Sequence, residues 1–137
     1  MELRTVRKLP VPTLIWSLVE DDLDLCVDQC GGDITPATVR ALIDSGDANL
    51  RIVSVGEDYA GFAVTEPLPL GENLYLNIIA IRIRPKHHGV FEATLEKIAE
   101  IARSCGARAC GYSLRPGMAR SLRRVGWKPR FVQYVAP

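Results

Sequence analysis

The segment Asn73 to Ile83 (NLYLNIIAIRI) limits the folds open to this chain of 137 residues more than any other stretch. Leu74, Leu76 and Ile78 fall on one face of an extended strand, and Tyr75, Ile79 and Ile81 on the other. A strand apolar on both faces needs cover on both, so it belongs in the middle of a sheet. Its end carries Arg82 and Arg84. From Gly89 the period changes to that of a helix: Phe91, Leu95, Ile98, Ala102 and Cys105 lie on one stripe, while Glu92, Glu96, Lys97, Glu100 and Arg103 face away. Gly106 closes that helix, and Ala107 to Ser113 reads as a short strand.

The flanks add elements of both kinds. Leu3 to Leu9 alternates as a strand does until Pro10 and Pro12 stop it. Thr13 to Cys30 reads as a helix with Leu14, Ile15, Leu18, Val19, Leu25 and Cys26 at helical spacing, acidic residues in the gaps, and Gly31-Gly32 as its stop. Thr35-Pro36 is a capping hydroxyl followed by proline at the first helical position, and Val39, Leu42 and Ile43 give that short helix one apolar face. Leu50 to Val55 and Tyr59 to Thr65 are β-rich runs split by a hairpin-sized Gly56-Glu57-Asp58. Pro67 to Gly71 reads as a longer connection, Pro116 to Val125 as a short basic helix, and Trp127 to Val135 as a terminal edge strand interrupted by Pro129. The predicted order is β-α-α-β-β-β-α-β-α-β, in one α/β domain spanning 1–137.

Composition fits a soluble globular protein: 47% of residues are hydrophobic and 24% charged, too apolar for disorder. No apolar run approaches the roughly 20 residues of a membrane helix, and the first residues lack a secretory signal pattern. Four cysteines, Cys26, Cys30, Cys105 and Cys110, are too few and unevenly placed for a disulfide scaffold, so they read as reduced thiols and the expected location is the cytoplasm.

Charge is polarised. Residues 1–79 hold 5 basic and 13 acidic groups, and residues 80–137 hold 12 basic and 3 acidic ones, none of the acids after Glu100. The halves therefore carry net charges of −8 and +9. Two readings follow: an anionic ligand on the C-terminal half, or mutual complement of the halves within one fold.

The element order, with a strand entering a helix through Arg84-Pro85-Lys86-His87-His88-Gly89-Val90, resembles the GNAT superfamily of acyl-CoA-dependent acyltransferases. The likeness covers nearly the whole chain and is best over Ile81 to Ser113, where a long helix ends in Cys105-Gly106-Ala107; it resumes at Leu122-Arg123-Arg124-Val125-Gly126-Trp127. It implies a mixed, mostly antiparallel sheet with helices on both faces, splayed where the central strand meets a parallel neighbour. It further implies acetyl transfer from acetyl-CoA to an amine, the cofactor running along the Ile81 to Arg84 strand end. Ile83, Arg84, Lys86, His88, Gly89 and Val90 are the implied cofactor residues. The amides of His88, Gly89 and Val90 would hold the pyrophosphate at a helix N-terminus, where unpaired N–H groups and the helix dipole favour anions.

Two positions depart from the family pattern. Lys86 falls on its Arg/Gln position and Gly89 on its first glycine, but Phe91 replaces the second glycine. Its ring either fills the phosphate space or turns inward as the first residue of the apolar stripe. Leu122 replaces the tyrosine that protonates the leaving thiolate in many members, and leucine has no proton to give. Tyr112, Tyr75 and Glu72 are the geometric substitutes, and the sequence assigns no catalytic residue. With these departures the chain is also similar to small, degenerate GNAT-like proteins of tailed bacteriophages. That similarity implies a silent interaction or virion component located in a phage particle.

Other constellations are weaker. Cys26, Cys30, His87 and His88 lack local zinc-ligand spacing, and no metal is expected. Hydrolase, P-loop and dinucleotide fingerprints are absent from the sequence. Arg115, Arg120, Arg123, Arg124, Lys128 and Arg130 interleave with Trp127, Phe131 and Tyr134, as a single-stranded nucleic-acid surface would. Alternation in a terminal strand instead buries the aromatics, so nucleic acid is not the expected partner. The same arginines can meet the acidic first helix of a second copy, giving a charge-complementary oligomer, or of another protein.

Overall fold

A computed structural model describes residues 1–28, 34–111, 116–130 and 136–137. In chain order the elements are β1 (Glu2–Thr5), α1 (Thr13–Asp28), α2 (Pro36–Asp44), β2 (Asn49–Val55), β3 (Asp58–Leu70), β4 (Asn73–Ile83), a 3-10 turn (Pro85–Val90), α3 (Phe91–Ser104), β5 (Arg108–Gly111) and α4 (Pro116–Arg124). The strands lie side by side in the order β1-β2-β3-β4-β5. The first three pairings are antiparallel and β4–β5 is parallel, so the sheet is mixed and mostly antiparallel. The described β4–β5 pairing covers Tyr75 to Ile78, while β4 continues to Ile83.

Each face of the sheet has its helices. On one, Trp16, Val19 and Leu23 of α1 and Val39 and Ile43 of α2 pack with Leu50, Phe62, Val64 and Ala80. On the other, Leu95 and Ile98 of α3 pack with Ala63, Ile78 and Ile81, and Met118 and Leu122 of α4 close the cluster. Phe62, fully buried at the first interface, contributes about 1.5–3 kcal/mol by leaving water. Thr35 caps α2, its hydroxyl accepting from the Thr38 N–H at 3.1 Å, with Pro36 at the first position as expected.

Several boundaries and faces differ from expectation. Pro67 to Leu70 is not a connection but the end of β3, paired with β4 as far as Leu70↔Asn73, and the turn lies at Gly71-Glu72. The prolines are tolerated because β2 begins at Asn49, opposite Thr65, which leaves that edge of β3 beyond Thr65 without a β2 partner needing their N–H groups. β4 carries a bulge at Ile79: Val64 pairs with Ala80 but Thr65 with Ile78. The extra residue shifts the alternation, so Ile78 and Ile81 share the α3 face and Ile79 turns toward the α1 face. On α1 the inward stripe is Trp16, Val19, Leu23 and Cys26, while Leu14, 86% exposed, and Leu18 and Leu25 point to solvent. Two apolar stripes compete on that helix, and only one can face the sheet.

β1 ends at Thr5, short of Leu9, and α3 begins at Phe91, because residues 85–90 form the 3-10 turn. Cys105 falls beyond the end of α3 and is exposed, off the stripe it was assigned to. Trp127 to Arg130 has no strand structure, although the Trp127 side chain does pack against the α3-side cluster. Residues 131–135, with the rest of the predicted terminal strand, lie outside the described residues, as do the end of the predicted Ala107–Ser113 strand, Cys30 and Gly31-Gly32.

Candidate functional site

At the end of β4 the central strand gives way to the 3-10 turn and then to α3. Arg82, Ile83, Pro85, His88 and Phe91 line a cavity of about 340 Å³ there. Two of the six implied cofactor residues, Ile83 and His88, are therefore at the cavity. Ile83 is buried in a cluster with Val53 and Ala60, and Val90 and Phe91 pack against the same cluster. Phe91 thus turns inward, half-buried, and His88 stacks on it with ring centroids 6.4 Å apart and planes 15° apart. Gly89 is exposed, and a Cβ there would meet no atom within 4 Å. The surface above the turn is open.

Not every amide at that helix start is available. The His87 N–H donates to the Arg84 carbonyl at 2.9 Å, and the Phe91 N–H donates to the His88 carbonyl. Glu92 brings a carboxylate to the first turn of α3, where it accepts from Arg124 at 3.2 Å. The turn therefore meets part of its own N-terminal polarity.

The basic residues around the cavity are met by acids from the first half of the chain. Lys86 Nζ lies 3.4 Å from Asp58, and His87 Nε2 lies 3.8 Å from the same carboxylate. The arrangement around Asp22 is more enclosed. Asp22, on α1, is 4% exposed, and its two oxygens accept separately: Oδ1 from Arg82 Nε at 3.1 Å and Oδ2 from Arg84 Nε at 3.0 Å. The Arg84 guanidinium also lies over the Tyr59 ring, 4.6 Å from its centroid. The Tyr59 hydroxyl is buried beside Asp22, without a hydrogen bond of ordinary geometry. Burial first, and the negative charge of Asp22 second, push its pKa far above the ordinary tyrosine range, so it stays protonated. The complementarity of the two charged halves is thus realised in these pairs.

The substitutes for the missing proton donor do not meet the cavity. Glu72 sits in the β3–β4 turn at the opposite end of β4, roughly 30 Å away along a strand rising about 3.3 Å per residue. Tyr75 lies near that same end, paired with Leu68 and Arg108, and Tyr112 is outside the described residues. Leu122 packs against the α3-side cluster, a core role that explains a leucine there. Arg120, Arg123, Lys128 and Arg130 are exposed, and Arg115, Phe131 and Tyr134 are outside the described residues. Among the described residues, no group of three or more His, Cys, Asp or Glu is placed to hold a metal, and no helix is long and apolar enough to cross a membrane.

The thiols differ sharply. Cys26 is buried and donates to the Ile81 carbonyl at 3.5 Å. Cys110 is half-buried against Asn77 and Glu66, and burial first and the Glu66 charge second raise its pKa. Cys105 is exposed. Because the thiolate is the nucleophile, iodoacetamide near pH 8 is expected to label Cys105 faster than Cys110 by about tenfold or more. Peptide mass spectrometry of a labelling time course reads the ratio, and equal rates would contradict the burial of Cys110.

Asp22 is the site residue that sequence reasoning missed, having placed the acids of α1 outside. The signal was present: Asp22 follows Val19 by three and precedes Cys26 by four, which puts it on the buried stripe.

The whole chain superposes on solved acetyltransferase structures. A probable acetyltransferase matches with a TM-score of 0.73 at 13% identity, covering 100% of this chain and 97% of that one. The fold is GNAT-like. An acetyltransferase from Trypanosoma brucei matches with a TM-score of 0.66 at 15% identity, over 99% and 98% of the two chains. A predicted acetyltransferase from Clostridium acetobutylicum, solved with acetyl-CoA, matches with a TM-score of 0.68 at 10% identity, over 99% and 95%. No protein-family model and no curated protein matches the sequence.

Proposed function

We propose that this chain is an acyl-CoA-dependent N-acyltransferase that uses acetyl-CoA and works at the junction of β4 and α3. The observation that carries the reading is the cavity lined by Arg82, Ile83, Pro85, His88 and Phe91, at a strand-to-helix junction within a fold shared over its full length with acetyltransferases. The residues fit such a cofactor. Gly89 leaves open space above the turn, Ile83 and Phe91 give the cavity an apolar wall, and His88 contributes a polar group. Acyl-CoA supplies an activated thioester carbonyl for attack by an amine. The protein's part is to hold the two together, which accounts for much of the barrier lowering in such reactions without a dedicated acid. Of the side chains lining the cavity, His88 alone carries a ring nitrogen lone pair that an amine proton could bond to.

A thermal-unfolding scan with and without millimolar acetyl-CoA tests this. A ligand at about 100 times its dissociation constant adds roughly 2.7 kcal/mol, a rise in Tm of roughly 8 °C for a chain of this size. Gly89→Trp, whose Cβ would meet no atom within 4 Å, is expected to unfold near the wild-type temperature without ligand and to lose the rise. No shift in the wild type would instead favour a silent, partner-binding protein. The Phe91 N–H already bonded to His88, and Arg84 and Lys86 already paired with acids, speak for that second reading.

A further inference from the structure

We infer that Arg82 and Arg84, held side by side on Asp22, form an oxyanion-binding site on the α1 face of the sheet, and that the acceptor amine carries a carboxylate that binds there. The assignment of the oxyanion to an acceptor rests on the acyl-transfer reading above. Each arginine uses only its Nε on Asp22. Among the described residues, no hydrogen bond is made by the terminal amino groups of either one. One carboxylate holds two guanidinium groups, so the cluster keeps a net positive charge. The Nη groups are fixed in orientation by the Asp22 bonds and, for Arg84, by the Tyr59 ring. An arginine fork anchored through Nε and open at Nη is prepared for a planar oxyanion without further loss of side-chain freedom. Arg84, with its side chain 44% exposed, can be reached from solvent.

Position separates this site from the cofactor's phosphates. Arg82 pairs in register with Phe62, which packs on the α1 side, and both arginines reach Asp22 on α1. Ile83 and Phe91 pack with Val53 and Ala60 in a separate cluster beside the start of α3. The guanidinium pair and the helix start of α3 therefore lie on different sides of the strand end, with the cavity between them. A carboxylate on Arg82 and Arg84 would leave the remainder of a short amine pointing at the cavity.

The test follows thermal unfolding of wild type, Arg84→Met and Arg84→Lys with succinate and with neutral succinamide, at an ionic strength fixed with sodium chloride. Acetyl-CoA alone is a separate arm. Succinate is expected to stabilise the wild type with a dissociation constant at least tenfold below that for Arg84→Met, and succinamide to stabilise neither. Arg84→Lys keeps the charge without the fork and is expected to fall between. The acetyl-CoA rise is expected to be equal in wild type and Arg84→Met. As acceptors, β-alanine should show a KM at least tenfold below that of β-alaninamide in the wild type, a difference that Arg84→Met removes. No response of the wild type to succinate, or an equal response from Arg84→Met, would overturn the site. Loss of the acetyl-CoA rise in Arg84→Met would overturn the acceptor assignment by giving the arginines to the cofactor. A succinate response with no acetyl-CoA rise in any variant would sustain the oxyanion site and remove the acyl-transfer reading instead.

Discussion

Gly61→Ala is expected to cost this fold about 4 kcal/mol or more of stability. Gly61 lies in β3 between Val53 of β2 and Ile83 of β4. A Cβ at this position would collide with the Arg82 carbonyl oxygen and stand 2.9 Å from the Ile83 Cα. Both obstacles are backbone, so no side chain can swing aside. Relief requires parting β3 from β4, the central pair of the sheet, just where β4 delivers Arg82 and Ile83 to the cavity. Substitutions costing about 4 kcal/mol or more are exceptional, and they come from strain or overpacking of this kind. Against a typical total of roughly 5–15 kcal/mol, such a loss lowers Tm by roughly 12–15 °C or prevents folding. Urea titration followed by circular dichroism measures it. Gly89→Ala is the matched control, since a methyl group there meets nothing within 4 Å and is expected to change stability by less than about 0.5 kcal/mol. A Gly61→Ala protein with the same midpoint as the control would show that β3 and β4 do not approach as closely as described.

The same region shows what could be read from the sequence and what could not. The central placement of β4, the Thr35-Pro36 helix start and the amphipathic stripe of α3 are local patterns, and each corresponds to an observed element. Pro67 and Pro69 misled because a proline signals interruption only where its N–H is needed, and that depends on where β2 begins. The bulge at Ile79 has no local signal either, since both registers place isoleucine on an apolar face. Phe91 left two readings open, and the structure chooses the inward one because Ile83, Val53 and Ala60 provide a place for the ring. The site was legible to the extent that its residues are consecutive. Ile83, His88 and the turn between them came from one stretch of sequence. Asp22, some 60 residues before Arg82 and 62 before Arg84, was visible only as an anomaly, an acid on a buried stripe. Two arginines at alternate positions at the end of a largely apolar strand, Arg82 within it and Arg84 just past it, were its counterpart, and pairing the two anomalies needs the packing of α1 on β4.

That pairing makes Asp22→Asn the second large effect. Asparagine fits the volume and keeps one acceptor oxygen, but it removes the charge that both arginines face. Breaking a fully buried pair by neutralising one member costs about 3–5 kcal/mol, because the remaining charge is left uncompensated. The side chains of Arg82 and Arg84 are 22% and 44% exposed, so water screens them in part. The expected loss is therefore roughly 2 kcal/mol, a fall in Tm of roughly 6 °C. Two cations left adjacent repel, so raising sodium chloride from low to near-molar concentration is expected to restore part of the variant's stability while moving the wild type less. Adding Arg84→Met to Asp22→Asn should cost less than the sum of the two single substitutions, by about 1 kcal/mol, because the second change removes one of the stranded charges. Full additivity together with an unchanged salt response would mean that Asp22 contributes only as a hydrogen-bonding side chain. The arginine pair would then owe its orientation to β4 and the Tyr59 ring rather than to α1.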